Sequence, residues 1–149
     1  MRLIVFVVCC CLPSLLLGQK TNDRNAILGR WLITPKKNLI VNVYLSGSQY
    51  RAKIVWFSNP SNPVPPDKRL DDKNPIVALR SRKIMGSDVL QDITYNESSN
   101  RWEGGKIYDA TSGKTWSAAA YINKAGNLVV RGYWGFEIFG RSLIFIRPN

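Results

Sequence analysis

Arg80, Arg82, Lys83, Lys106, Lys114, Arg131 and Arg141 stand near glycine-containing turns and hold the clearest chemical potential in the sequence. Arg presents a planar fork of donors that captures a carboxylate or phosphate bidentately. Arg131 leads because it alternates with Val129 and Tyr133, so one strand face gives it less polar flanks than open surface; Arg80 comes second. Aromatic rings interleave with these cations. Arg80, Arg82, Trp102, Tyr108, Lys114, Arg131 and Tyr133 therefore form the expected ligand-binding set. The competing reading is a solvated basic face, the commoner fate of Lys and Arg.

Catalysis has fewer means. The chain contains no His, which excludes a Ser-His-Asp triad, a Cys-His pair, imidazole acid–base chemistry and a His-ligated metal. Neither a metal nor a cofactor is expected. Paired carboxylates could still hydrolyse a glycoside, with Glu103, Asp109 and Glu137 as candidates and Asp92 on a neighbouring strand. Glu103 and Asp109 lie six residues apart on one strand, or about 20 Å at ~3.3 Å per residue, too far for a two-carboxylate mechanism. No catalytic residue is expected. Ser112-Gly113-Lys114-Thr115 ends like a phosphate-binding loop but lacks its earlier glycine. It also joins strand to strand rather than strand to helix, so it reads as a hairpin turn.

Short segments of period two must position these groups. Leu28–Thr34, Asn38–Ser46, Gln49–Phe57, Asp88–Tyr95, Arg101–Asp109, Thr115–Ile122, Leu128–Trp134 and Ser142–Arg147 are the expected strands. Mostly short turns join them, the pattern of an all-β up-and-down barrel or sandwich. In the third segment Tyr50, Ala52, Ile54 and Trp56 are expected to share one face. Ser58–Pro75 breaks the rhythm with five of the eight prolines, a density that neither ladder nor helix tolerates. It is a long loop, with a short helical turn expected in Ile76–Arg82. Gly104, Gly105 and Gly132 inside strands mark bulges or barrel corners. Five Trp could line a cavity or fill the barrel. The small Ala118 and Ala120 favour a cavity along one wall.

Gly29-Arg30-Trp31 opens the first strand and Arg147 comes last. This resembles the lipocalin signature, in which an early Trp plugs the barrel and a late Arg stacks over its ring, here Trp31 and Arg147. A longer ordered series is more specific: Asp72-Lys73-Asn74-Pro75, Leu79-Arg80-Ser81-Arg82, Gly86, Trp102-Glu103-Gly104-Gly105-Lys106-Ile107-Tyr108-Asp109, Ser112-Gly113-Lys114-Thr115, Val130-Arg131-Gly132-Tyr133-Trp134-Gly135 and Gly140-Arg141-Ser142. From Leu28 to Arg147 the chain resembles the bacterial family known as domain of unknown function family 2147. The resemblance implies an exported, lipocalin-like β-barrel with no established activity.

Met1-Arg2 followed by the apolar run Leu3–Leu17, interrupted by Pro13, reads as a signal peptide over residues 1–18, cleaved near Gly18. Residues 19–149 then form a single barrel domain. Cleavage removes all three Cys but only one cation, Arg2, of the 21 in the chain. The remaining domain, periplasmic or extracellular, has no disulfide and keeps a strong positive charge. Export separates the domain from nucleic acid by compartment, so no nucleic-acid partner is expected. Two function classes compete. One is non-enzymatic binding of a small apolar or amphipathic ligand, whose anionic head group, where it has one, would suit the Arg cluster. The other is a basic envelope module that docks acidic lipid head groups or polysaccharide.

Overall fold

The eight segments rich in β-branched and aromatic residues pair in sequence order, and a computed structural model of the chain, described over residues 23–149, folds them into one closed barrel. The expected signal peptide lies outside the described residues. The strands are β1 (Gly29–Thr34), β2 (Leu39–Ser46), β3 (Gln49–Phe57), β4 (Asp88–Asn96), β5 (Arg101–Asp109), β6 (Lys114–Ile122), β7 (Leu128–Tyr133) and β8 (Arg141–Ile146). Each neighbour in sequence is a neighbour in space and antiparallel. Leu32↔Ile146 and Ile33↔Phe145 close the last strand onto the first. Every strand begins and ends within one residue of its sequence-expected bounds. The expected helical turn is a 3-10 turn at Val77–Leu79, with two more at Pro66–Lys68 and Glu137–Phe139.

The buried interior contains Trp31, Val41, Val43, Tyr50, Ala52, Ile54, Leu90, Ile93, Trp102, Ala118, Ala120, Leu128, Val130 and Phe145. Its centre is occupied. Ala120 pairs with Trp102, and Ala118 with Gly105, so the room their methyl groups leave is taken by an indole and a close strand. The Tyr50 ring meets Trp102 edge-on at 6.3 Å, and Tyr95 tilts against it at 5.1 Å. A hollow beside Ala118 and Ala120 is thus replaced by packing.

Bulges revise the simple alternation, and two of them bear on the expected faces. Between β2 and β3 the register slips at Ile40/Val41, where Ile40 faces Trp56 but Val41 faces Ile54. The slip turns Trp56 outward, 43% exposed, and brings Phe57 into the core. This corrects the expected face Tyr50-Ala52-Ile54-Trp56: a bulge reverses the side on which the following residues point. In β5 the register shifts between Trp102 and Gly105, and Gly104 takes the left-handed conformation at φ 72°. A Cβ on Gly105 would stand 2.6 Å from the Cβ of Ile93, so β4 and β5 approach only because that side chain is absent.

Ile27 before β1 and Arg147 after β8 close one end. Ile27 is fully buried and accepts through its carbonyl from Trp31 Nε1 at 2.7 Å. The Arg147 guanidinium sits 3.7 Å from the Trp31 ring centroid and donates to the carbonyls of Leu28 and Ala26 at 2.8 and 2.9 Å. Gly29, at φ 100°, lets that guanidinium approach, since a Cβ there would meet Arg147 Nη1 at 3.0 Å.

Candidate functional site

The up-and-down order puts the β1–β2, β3–β4, β5–β6 and β7–β8 connections at the opposite end, the mouth. There the proline-rich β3–β4 loop is ordered rather than free. Proline cannot offer a ladder donor, so a short backbone bridge beyond the prolines and a few side chains fix this loop instead. Leu70 bridges to Lys83, Asp71 N–H donates to the Arg82 carbonyl, and Ile84 N–H to that of Arg69. One buried carboxylate holds the assembly to the barrel. Asp71, with no exposed surface, accepts from Tyr108 Oη at 2.5 Å, Asn74 Nδ2 at 2.8 Å, and Arg82 Nε and Nη2 at 2.9 and 2.8 Å.

Burial alone would raise the Asp71 carboxyl. The hydrogen bonds from Tyr108, Asn74 and Arg82 outweigh it and hold this carboxyl below the ordinary range. Tyr108 moves the other way. Its burial and its bond to the Asp71 carboxylate push the phenol up to about 12.

Between this loop and the barrel rim lies a cleft of about 340 Å³. Leu39, Ile54, Phe57, Ile84 and Val89 give it an apolar lining, and Lys36, Asn38, Asn59 and Arg69 a polar one. Neither Lys36 nor Arg69 takes part in an ion pair among the described residues. Asp109 also lines the cleft, and its carboxylate is occupied. Burial would raise its carboxyl, but bonds from the Thr111 and Ser112 hydroxyls and Thr111 N–H keep it low. A cleft with apolar walls and two cations suits an amphipathic molecule with an anionic group.

The sequence-selected residues are mostly elsewhere. Tyr108 alone of the ligand-binding set borders the cleft. Arg82 is bound to Asp71, and Arg80 Nε donates to the Asn74 carbonyl at 2.8 Å. Trp102 is buried among core side chains. Arg131 clamps the β7–β8 connection, with Nε on the Glu137 carbonyl at 2.6 Å and Nη2 on that of Ile138 at 3.0 Å. Tyr133 borders a separate outer groove, and Lys114 is exposed at the start of β6. Gly132 allows close approach of Ile107, whose Cγ2 would stand 3.1 Å from a Cβ there.

Lys36, Asn38, Asn59 and Arg69 lie outside the expected set, which favours cations beside glycine turns in the second half. The proline-rich stretch was the available signal. The carboxylates also separate: Glu103 accepts from Asn96 and Ser99 at the closed end, while Glu137 pairs with Arg101 on the outer wall. Among the described residues, no cluster of three or more His, Cys, Asp or Glu is placed to hold a metal.

The closed eight-stranded barrel with its Trp31–Arg147 plug defines the class: a lipocalin-like β-barrel. Protein HP1028 from Helicobacter pylori, described as belonging to the lipocalin family, superposes with a TM-score of 0.68 at 20% identity, covering 83% of each chain. Residues 29–147 match the family described as "Uncharacterized protein conserved in bacteria (DUF2147)", and the chain belongs to that family. No curated protein matches it.

Proposed function

We propose that this protein is a non-enzymatic carrier or sensor of a small amphipathic molecule, held at the barrel mouth. Apolar atoms of the ligand lie against Leu39, Ile54 and Val89, and an anionic group faces Lys36 and Arg69. The observation that carries the reading is the cleft of about 340 Å³ with apolar walls and two cations outside any described ion pair. Export completes the proposal, with the leader removed near Gly18 so that the purified protein begins at Gln19.

An anionic apolar dye, anilinonaphthalene sulfonate, supplies the test. It should bind saturably and weaken at least tenfold with Lys36→Glu plus Arg69→Glu. Ile54→Trp, which fills the cleft, should abolish binding, and Lys114→Ala should leave it unchanged. Equal binding by all of these variants would sink the proposal. The other sequence expectation, a basic envelope module, gains no defined site from net charge alone. A carboxylate hydrolase gains none from Glu103, Asp109 and Glu137, which stand apart.

A further inference from the structure

The outer wall of β5 and β6 carries a feature that the mouth cleft does not use. Trp134, Phe136 and Ile138, in the β7–β8 connection, are 80%, 74% and 75% exposed. An apolar segment left to itself folds back onto the nearest surface. This one is held out. Arg131 spends its guanidinium on the carbonyls of Glu137 and Ile138, Arg101 pairs with the Glu137 carboxylate, and Gly135 turns the chain at φ 70°. The backbone is fixed, and its apolar side chains project.

A second apolar group stands beside it. Ile76 and Val77, at the 3-10 turn of the long loop, are 59% and 71% exposed. Two shallow grooves join the groups: one is bordered by Ile76 and Leu79, the other by Tyr133 and Trp134, and both include Lys106 and Thr115 of the outer wall. The two apolar groups therefore flank the same stretch of β5 and β6. No acidic residue lines either groove. Lys106 lies between them, and the exposed Lys114 adjoins Thr115.

Projecting Trp, Phe and Ile among cations match the chemistry of an anionic lipid interface, where aromatic rings settle at the head-group level and Lys meets phosphate. We infer that Trp134, Phe136 and Ile138, with Ile76 and Val77, insert into the surface of an anionic phospholipid bilayer, with Lys106 and Lys114 facing its head groups. This goes beyond the mouth-cleft reading and needs neither the cleft nor its occupant.

The test mixes purified protein with vesicles of phosphatidylglycerol or of phosphatidylcholine and follows co-sedimentation and Trp emission. Binding to phosphatidylglycerol should exceed that to phosphatidylcholine at least tenfold and fade with added salt. Brominated acyl chains should quench the emission, and Trp134→Ser should remove most of that quenching. Trp134→Ser with Phe136→Ser and Ile138→Ser should weaken phosphatidylglycerol binding at least tenfold, with unfolding midpoint and dye binding at the mouth unchanged. Lys106→Glu with Lys114→Glu, which spares the apolar residues, should weaken it similarly and flatten the salt dependence. Retained binding in both variants overturns the inference. So does a dimer that the triple variant converts to monomer without any vesicle binding by the parent protein, since the face then docks a second copy.

Discussion

Asp71 shows how one side chain fixes a loop that prolines leave without a ladder. Its depressed carboxyl means the unfolded chain binds a proton more readily than the folded one. The resulting stability is complete above the ordinary Asp range, near pH ~4, and is lost as the pH falls through the lower folded value. Asp71→Asn should therefore reduce stability at pH 7 and flatten the acid limb, as read from urea midpoints across pH 2–6. Tyr108 has the opposite sign. Its stabilisation is complete below the ordinary phenol value of ~10 and lost as pH rises through about 12, so Tyr108→Phe should flatten the alkaline limb. Arg82→Ala leaves the Asp71 carboxylate buried with one partner fewer and should cost roughly 3 kcal/mol at neutral pH. At the closed end, Arg147→Ala removes a ring stack and hydrogen bonds to exposed carbonyls, a loss of about 1–3 kcal/mol measurable by denaturant titration.

Elements were the most legible level. Period-two patterning and turn residues located all eight strands because a half-buried strand writes its two faces directly into the sequence. The failures fall at irregularities. Nothing local in Val55-Trp56-Phe57 announces that Ile40 and Val41 will share a bulge with them, since a bulge belongs to the pairing of two strands. Gly105 stands out inside a strand, and its reason is the Ile93 side chain opposite. Gly105→Ala should therefore cost about 1–3 kcal/mol through overpacking, whereas Gly104→Ala meets no neighbour within 4 Å and bears only the strain of its φ 72°. Comparing the two unfolding midpoints separates steric contact from backbone strain.

For the whole molecule, the two surfaces should respond differently to ionic strength. Adsorption through the outer-wall cations fades as salt screens exposed charge, while apolar contact inside the mouth cleft persists. Parallel dye and vesicle titrations from about 20 to 500 mM salt would show the separation, given a Debye length near 10 Å at 0.1 M.

The sequence alone determined the strand bounds and the up-and-down order. It also removed imidazole chemistry by composition. These are local or compositional properties, and adjacency in chain becomes adjacency in space for a meander. Only the tertiary structure decided which cations are committed. Arg82, Arg131 and Arg147 each bind groups donated by segments distant in the barrel or folded back upon it, while Lys36 and Arg69, one before β2 and the other after β3, both border the mouth cleft. A guanidinium's partner is set by closure of the barrel and the path of its loops, which residue type and spacing do not encode.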